Sequence, residues 1–368
     1  MSRHVKKIKD MIIFDSKKVN NIIHKIEKLS NKDIVAIYNS ENIGITNSTK
    51  DLFKEENTLG LKEALNEKEI QIISECLGNS NIKQLVFSSM TFGYIKLIKS
   101  IKYINSNIKI SVYWHGSYAM LVQRDESYFL YNIIELMNLG LVDKVAFAKE
   151  SMAEFYKLKG YNSYFLPNTI SFDFKDNKNM NIDNEKEEID KKSNYENNDK
   201  NKKIKIGLYS AGNRWEKNTF NQLSVVPLIK NAVVDVIPCN KLVKKFCLDF
   251  NINLIESDIK YLSRDKFIEK LSNNDINLYV TFTECSPMLP LESFESGTIC
   301  ITGNNHHYFK GYEFLEKTIV NSEDDINEIK EKILFSINNK DKILDEYKIW
   351  KKEYDKFCLT KYKKFIEL

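Results

Sequence analysis

Glu284 and Glu292 stand with seven residues between them, bracketing the segment 285–291, and the small-residue run 293–303 follows at once. The run 277–282, Asn-Leu-Tyr-Val-Thr-Phe, reads as a strand, and the apolar residues after Pro290 read as the start of a helix. Glu284 is then expected on the loop beyond a strand's carboxyl end, and Glu292 in the first turns of the next helix. In an open α/β sheet that crevice is where ligands bind. Two hydrogen-bond acceptors there can grip two parts of one polyhydroxylated ligand. The spacing equally fits a surface glutamate followed by one that the helix macrodipole favours, so by itself it leaves both readings open.

Two further groups sit at comparable places. A strand over 203–210 is followed by Ala211-Gly212, Arg214 and Lys217. Gly212 allows the backbone to approach a phosphate closely, and the helix beyond adds its partial positive charge. Cations at a helix start are electrostatically disfavoured, which points toward a role for Arg214 and Lys217 rather than simple exposure. A strand over 108–114 leads directly into His115-Gly116, where the imidazole fits a ligand contact as well as a structural one. Arg124 and Asp125 at a helix start suit acceptor binding only weakly, and His306 and His307 read as surface residues.

The elements that must carry these residues alternate throughout. Before the polar segment 173–203, strand-like runs fall at 33–38, 83–89, 108–114, 144–148 and 162–167, with helical stretches at 60–77, 94–104, 126–140 and 149–160. After it, strand-like runs fall at 203–210, 232–238, 252–256, 276–282, 298–302 and 317–321. Continuous apolar strands alternating with helices indicate α/β architecture with parallel sheets covered on both faces. The expected organisation is an N-terminal Rossmann-like domain over 1–170, a polar flexible linker over 171–203 and a C-terminal Rossmann-like domain over 204–340. C-terminal helices over 341–368 then cross back to the first domain. Ile343, Tyr347, Trp350, Tyr354 and Phe357 form a packing stripe there that is expected to stop near Lys361.

Composition narrows the function classes. The 368 residues are 42% hydrophobic and 29% charged, with a net charge of +4, which suits a globular protein and is too mild for a nucleic-acid binder. No apolar run approaches the ~20 residues of a bilayer span, and the basic N-terminal stretch lacks a signal peptide's apolar core. Six scattered cysteines without a Cys-x-x-Cys pair read as reduced thiols in a cytoplasmic protein. No metal site is expected from the five histidines, two of which are adjacent.

The wording Glu284-Cys-Ser-Pro-Met-Leu-Pro290-Leu-Glu292-Ser-Phe-Glu-Ser-Gly297-Thr-Ile-Cys-Ile301 resembles the E-x7-E motif of retaining, GT-B fold glycosyltransferases (the glycosyl transferases group 1 type). The resemblance covers the C-terminal half well and the N-terminal half in outline, where the segment 165–170 is similar to the Pro-Asn turn that ends the first domain of such enzymes. It implies two Rossmann-like domains facing a cleft. It implies Arg214 and Lys217 as holders of the nucleotide diphosphate, Glu292 on the ribose, Glu284 on the donor sugar, and His115 touching that sugar. Backbone N–H groups of Ser286 and Met288 would face sugar or phosphate. The family's two motif glycines are replaced by Cys285 and Pro287, and Pro287 has no N–H to give, so the donor-sugar contacts differ from the family pattern. The implied activity is sugar transfer from a nucleotide-diphosphate sugar to a glycan, lipid-linked or protein acceptor, with retention and without a metal or other cofactor. It would take place in the cytoplasm, with peripheral association at the inner membrane face open. A nucleotide-sugar epimerase or hydrolase of the same architecture, and a non-catalytic nucleotide-sugar or glycan binding module, are the alternatives.

Overall fold

Residue-by-residue alternation within each strand decides how the first sheet is covered. In the computed structural model, which describes residues 16–170, 203–209, 214–255 and 262–367, the chain divides into two compact units. The first comprises the described residues up to Ile170 together with Glu284–Met288 and the chain from Lys351 onward. The second comprises the described residues from Lys203 to Thr283, and Leu289–Trp350.

The first unit contains α1 (Ser16–Leu29), β1 (Ile34–Asn39), α2 (Ile43–Phe53), β2 (Thr58–Leu61), α3 (Glu67–Gly78), β3 (Gln84–Ser88), α4 (Phe92–Ile104), β4 (Lys109–Trp114), α5 (Arg124–Asn138), β5 (Lys144–Phe147), α6 (Glu150–Leu158) and β6 (Ser163–Phe165). Its strands pair in parallel in the order β2-β1-β3-β4-β5-β6. Val35, Ile37, Leu85, Phe87, Ile110, Val112, Val145 and Phe147 face one apolar cluster with Ile73, Leu97 and Ile133 of the helices. Their neighbours Ala36, Val86, Tyr113 and Ala146 face the other, with Leu52, Phe53, Leu166, Cys285 and Phe365. Strand connections run from β1 outward to β2 and then back across to β3, so the ends of β1 and β3 mark this sheet's switch point.

The second unit contains β7 (Ile204–Leu208), α7 (Thr219–Ser224), β8 (Ala232–Val236), α8 (Lys241–Asp249), β9 (Leu254–Ile255), α9 (Arg264–Ser272), β10 (Ile276–Tyr279), α10 (Met288–Glu295), β11 (Cys300–Gly303), α11 (Glu313–Glu316), β12 (Ile319–Val320) and α12 (Ile326–Asn338); α13 (Lys340–Ile366) continues from it into the first unit. Its parallel order is β12-β11-β10-β7-β8-β9. Strands spread from β7 to β8 and β9 on one side and from β10 to β12 on the other, which places the switch point between β7 and β10.

Every strand-like run of the sequence contains a strand. Three local expectations are corrected. The helix expected over 60–77 starts only at Glu67, because Asn66 and Glu69 form a reciprocal capping box there. Part of the residues before it make the edge strand β2, which its Gly60 and short length concealed; a Cβ at Gly60 would meet the Tyr38 ring at 2.9 Å. The tail is one uninterrupted helix through Lys361. The packing stripe passes from Tyr354 to Cys358 rather than to Phe357, and goes on through Tyr362 to Phe365. In the second unit Tyr347 stacks on Phe294 at 4.6 Å and Trp350 packs edge-on to Phe309 at 4.8 Å. In the first, Tyr362 meets Phe53 at 5.5 Å.

The three segments of the first unit meet at Asn168, which is buried. Its Oδ1 accepts from Tyr113 Oη at 2.7 Å, and its carbonyl accepts from Tyr354 Oη at 2.7 Å. Its Nδ2 donates to the Ser286 carbonyl at 2.6 Å and its N–H to Ser286 Oγ at 2.8 Å. Asn168→Ala strands two of these buried partners and should lower stability by about 2–4 kcal/mol. Tyr113→Phe should cost about 1 kcal/mol. Chemical denaturation of both variants against the unaltered chain checks the ranking.

Candidate functional site

In the second unit the stretch after β7 is organised by one tight turn. Arg214 is extended, and Trp215–Lys217 make a single 3-10 turn closed by Lys217 N–H to the Arg214 carbonyl at 3.0 Å. Asn218 takes the left-handed conformation, φ 52°, which asparagine tolerates better than most residues, and α7 starts behind it. Three sets of contacts tie this turn to the end of β10, its neighbour across the switch point. Gln222 donates to the Lys217 carbonyl at 2.8 Å and accepts from Val280 N–H at 2.8 Å. Phe282 N–H donates to the Glu216 carbonyl at 2.9 Å. Lys217 Nζ donates to Tyr279 Oη at 2.9 Å and lies 5.1 Å from the centre of that ring.

Lys217 is therefore a buried cation, not an exposed residue at a helix start. Arg214 is about two-fifths exposed, and its Nε lies 2.9 Å from Glu216 Oε1 on a buried carboxylate. Among the described residues this ion pair is made through Nε. Planar, fixed donors of this kind suit a phosphate. Gly212 lies outside the described residues.

Glu292 sits in the second turn of α10, buried, with Oε1 3.2 Å from Arg264 Nε. The helix is pinned from below. Asn277 of β10 donates to Ser293 Oγ at 2.8 Å, and Ser293 Oγ donates to the Thr298 carbonyl at 2.7 Å. Gly297, φ 85°, closes the helix in the left-handed conformation that glycine adopts without strain. The motif glycine thus serves helix termination ahead of β11.

In the first unit Glu284 is partly exposed, and its carbonyl accepts from Lys149 Nζ at 2.9 Å. Cys285 is buried in the apolar cluster, Pro287 is buried and Met288 half-buried at the start of α10. Ser286 is buried with its hydroxyl and carbonyl bonded to Asn168. His115 follows β4 and rests on the Tyr113 ring at 4.0 Å. Its Nε2 shares a 2.9 Å hydrogen bond with Ser88 Oγ, and Ser88 is bonded in turn to Thr49 at 2.6 Å. Burial pushes its pKa down from 6.5 to about 3, so the ring is neutral at neutral pH.

Thus His115, Glu284, Ser286, Pro287 and Met288 belong to the first unit, and Arg214, Lys217 and Glu292 to the second. Arg124 and Asp125 do open α5. His306 is corrected: it is buried, packed on Tyr308 at 4.7 Å, with Nδ1 accepting from Tyr308 N–H at 3.2 Å. Sequence reasoning missed Arg264, Gln222, Tyr279 and Ser88. Only Tyr279 gave a signal, as a polar-tipped ring in a strand that ends at the crevice.

No family model matches this sequence, and no curated protein does. Among solved structures the chain is similar to Anabaena HepE in complex with UDP and glucose, with 8% identity over 85% of this chain and 92% of that one and a TM-score of 0.55. It is similar to a trehalose-6-phosphate synthase studied for glycosyltransfer with retention, at 9% identity over 89% and 99% with a TM-score of 0.52. It is also similar to the lipopolysaccharide outer core galactosyltransferase WaaB, at 10% identity over 89% and 99% with a TM-score of 0.51. At such identities the likeness is one of fold: the chain has the GT-B fold of these proteins, built from two six-stranded parallel sheets.

Because the folded state holds His115 neutral while the unfolded chain takes up a proton, its contribution to stability is complete above pH 6.5 and is lost as pH falls from there toward about 3. His115→Gln should flatten the acid limb in that window. Melting temperature measured as a function of pH tests this, and an unchanged acid limb counts against a buried neutral imidazole.

Proposed function

We propose that the protein is a glycosyltransferase that moves a sugar from a nucleotide-diphosphate sugar to a glycan, lipid-linked or protein acceptor with retention of configuration. The observation that carries this reading is the cationic turn Arg214–Lys217, locked to the end of β10 at a switch point where parallel sheets bind ligands. The E-x7-E wording supports it, as does the fold shared with a UDP- and glucose-bound protein, a galactosyltransferase and a retaining synthase.

In this reading the bond from the sugar's anomeric carbon to the β-phosphate oxygen breaks, and the leaving diphosphate keeps the electron pair. Arg214 and Lys217 stabilise the charge that grows there, with fixed cations that need no reorganisation during the step. The backbone at Gly212 is assigned to the phosphates. Glu292, held by Arg264, accepts hydrogen bonds from the ribose. Glu284 accepts from the donor sugar's hydroxyls, and His115 contacts that sugar as a neutral hydrogen-bonding group. Ser286 and Met288 line the donor through the backbone, while Pro287 supplies shape without an N–H. The acceptor oxygen bonds to the same face of the anomeric carbon, and its proton passes to the departing phosphate oxygen. No step is routed through a metal ion. The carboxylates act as grips rather than as proton carriers. Among the described residues no helix is long and apolar enough to cross a membrane. The reading places the enzyme in the cytoplasm, with the inner membrane face as a possible station.

Arg214→Ala and Lys217→Ala should each lower kcat by roughly a hundredfold or more. Arg214→Ala also leaves the buried Glu216 carboxylate without its partner, so Arg214→Lys, which keeps a cation beside it, is the variant whose melting temperature should stay nearly unchanged while kcat falls. The assay measures nucleotide release from a panel of UDP-sugars, with and without a mixed saccharide acceptor. Full activity in both variants would sink the assignment. Rapid product formation without any acceptor would indicate the epimerase or hydrolase chemistry instead.

A further inference from the structure

Ser89 and Trp114 form the next rung beyond the last paired residues of β3 and β4, since Ser88 pairs with Tyr113. Neither has a part in the roles assigned above. Ser89 has φ 93°, a region that favours glycine over serine, and its N–H donates to the Tyr113 carbonyl at 2.9 Å, which holds the backbone there. The residue is only 8% exposed, and its Oγ finds no hydrogen-bond partner among the described residues. Trp114 is buried as well, and its indole Nε1 likewise has no partner among them. The Gly116 backbone comes close to the same indole, because a Cβ at Gly116 would lie 2.7 Å from Nε1. Strain and two orphaned buried polar groups on one rung each lower stability, and such features persist together at ligand clamps.

We propose that Ser89 Oγ and Trp114 Nε1 are a recognition pair for the hydroxyl groups of a neutral saccharide. An indole N–H only donates, while a serine hydroxyl both donates and accepts, so together they complement hydroxyls, which do both. Ser88, Ser89, Trp114 and His115 include no carboxylate, ammonium or guanidinium group, so a charged ligand meets no counter-charge among them. Naming a saccharide as the ligand class rests on the glycosyltransferase reading; the pair itself does not.

Ser89→Gly separates a ligand role from a structural one. Glycine relieves the backbone strain and removes the orphaned hydroxyl, so the variant should unfold a few degrees higher than the unaltered chain. Calorimetry with methyl glucoside, methyl galactoside, N-acetylglucosamine and UDP provides the second readout. The unaltered chain should bind at least one saccharide, and Ser89→Gly and Trp114→Phe should each bind it roughly tenfold more weakly. UDP affinity should stay unchanged. A lower melting temperature for Ser89→Gly overturns the proposal, as do unchanged saccharide affinity, a matching loss for UDP, or no saccharide binding by the unaltered chain. Saccharide binding without any UDP-sugar turnover removes the glycosyltransferase reading and leaves this pair standing. Turnover without saccharide binding does the reverse.

Discussion

Asn168 satisfies its side-chain oxygen, side-chain nitrogen, N–H and carbonyl with partners from three separated stretches of chain. A buried amide leaves little room for substitution of this kind, because each unmet bond costs the full desolvation of the group left behind. Through it the segment Glu284–Met288 is fixed to the first unit, with Cys285 inserted among Ala36, Val86 and Tyr113 of that sheet. The position of Glu284 is thus decided by an asparagine more than a hundred residues earlier, supported by a tyrosine of β4 and another of α13.

The second unit solves its positioning problem differently. Its cations lie on a turn that backbone and side-chain hydrogen bonds from Gln222, Tyr279 and Phe282 hold against β10. Glu292 is buried with Arg264 beside it, and α10 beneath it is registered by Asn277 and Ser293. Arg214, Lys217 and Glu292 each have a neutral or opposite-charge partner, which fixes geometry ahead of any ligand.

Strand positions were legible because buried parallel strands carry short continuous apolar runs, as residues 34–38, 85–87 and 112–114 do. β2 was not, since an edge strand of four residues with a glycine inside carries no such run. The exit of the tail stripe at Cys358 turned on a choice between adjacent residues that helical periodicity leaves open. Glu284 and Glu292 were visible through their spacing and setting. Arg264 was hidden and Asn168 was visible only as part of the Pro-Asn turn, because no local pattern records bonds to partners 28 and 118 residues away. Lys217 was visible as a candidate, but its burial was not, since nothing in Arg-Trp-Glu-Lys says that the lysine turns inward to Tyr279.

The first unit is completed by Tyr354, Cys358 and Phe365 near the far end of α13, and by the Glu284–Met288 insertion. Among these contacts, the bonds of Asn168 with Ser286 and Tyr354 join residues 118 and 186 positions apart, so the first half of the sequence cannot reach its final packing as it is synthesised. Long-range closures of this sort slow folding and leave apolar surface such as Phe53 and Tyr113 uncovered in the meantime. During translation the earliest residues wait for the latest. A ribosome that stalls before Lys351 leaves behind a first sheet with one flank open, a natural target for chaperones and proteases.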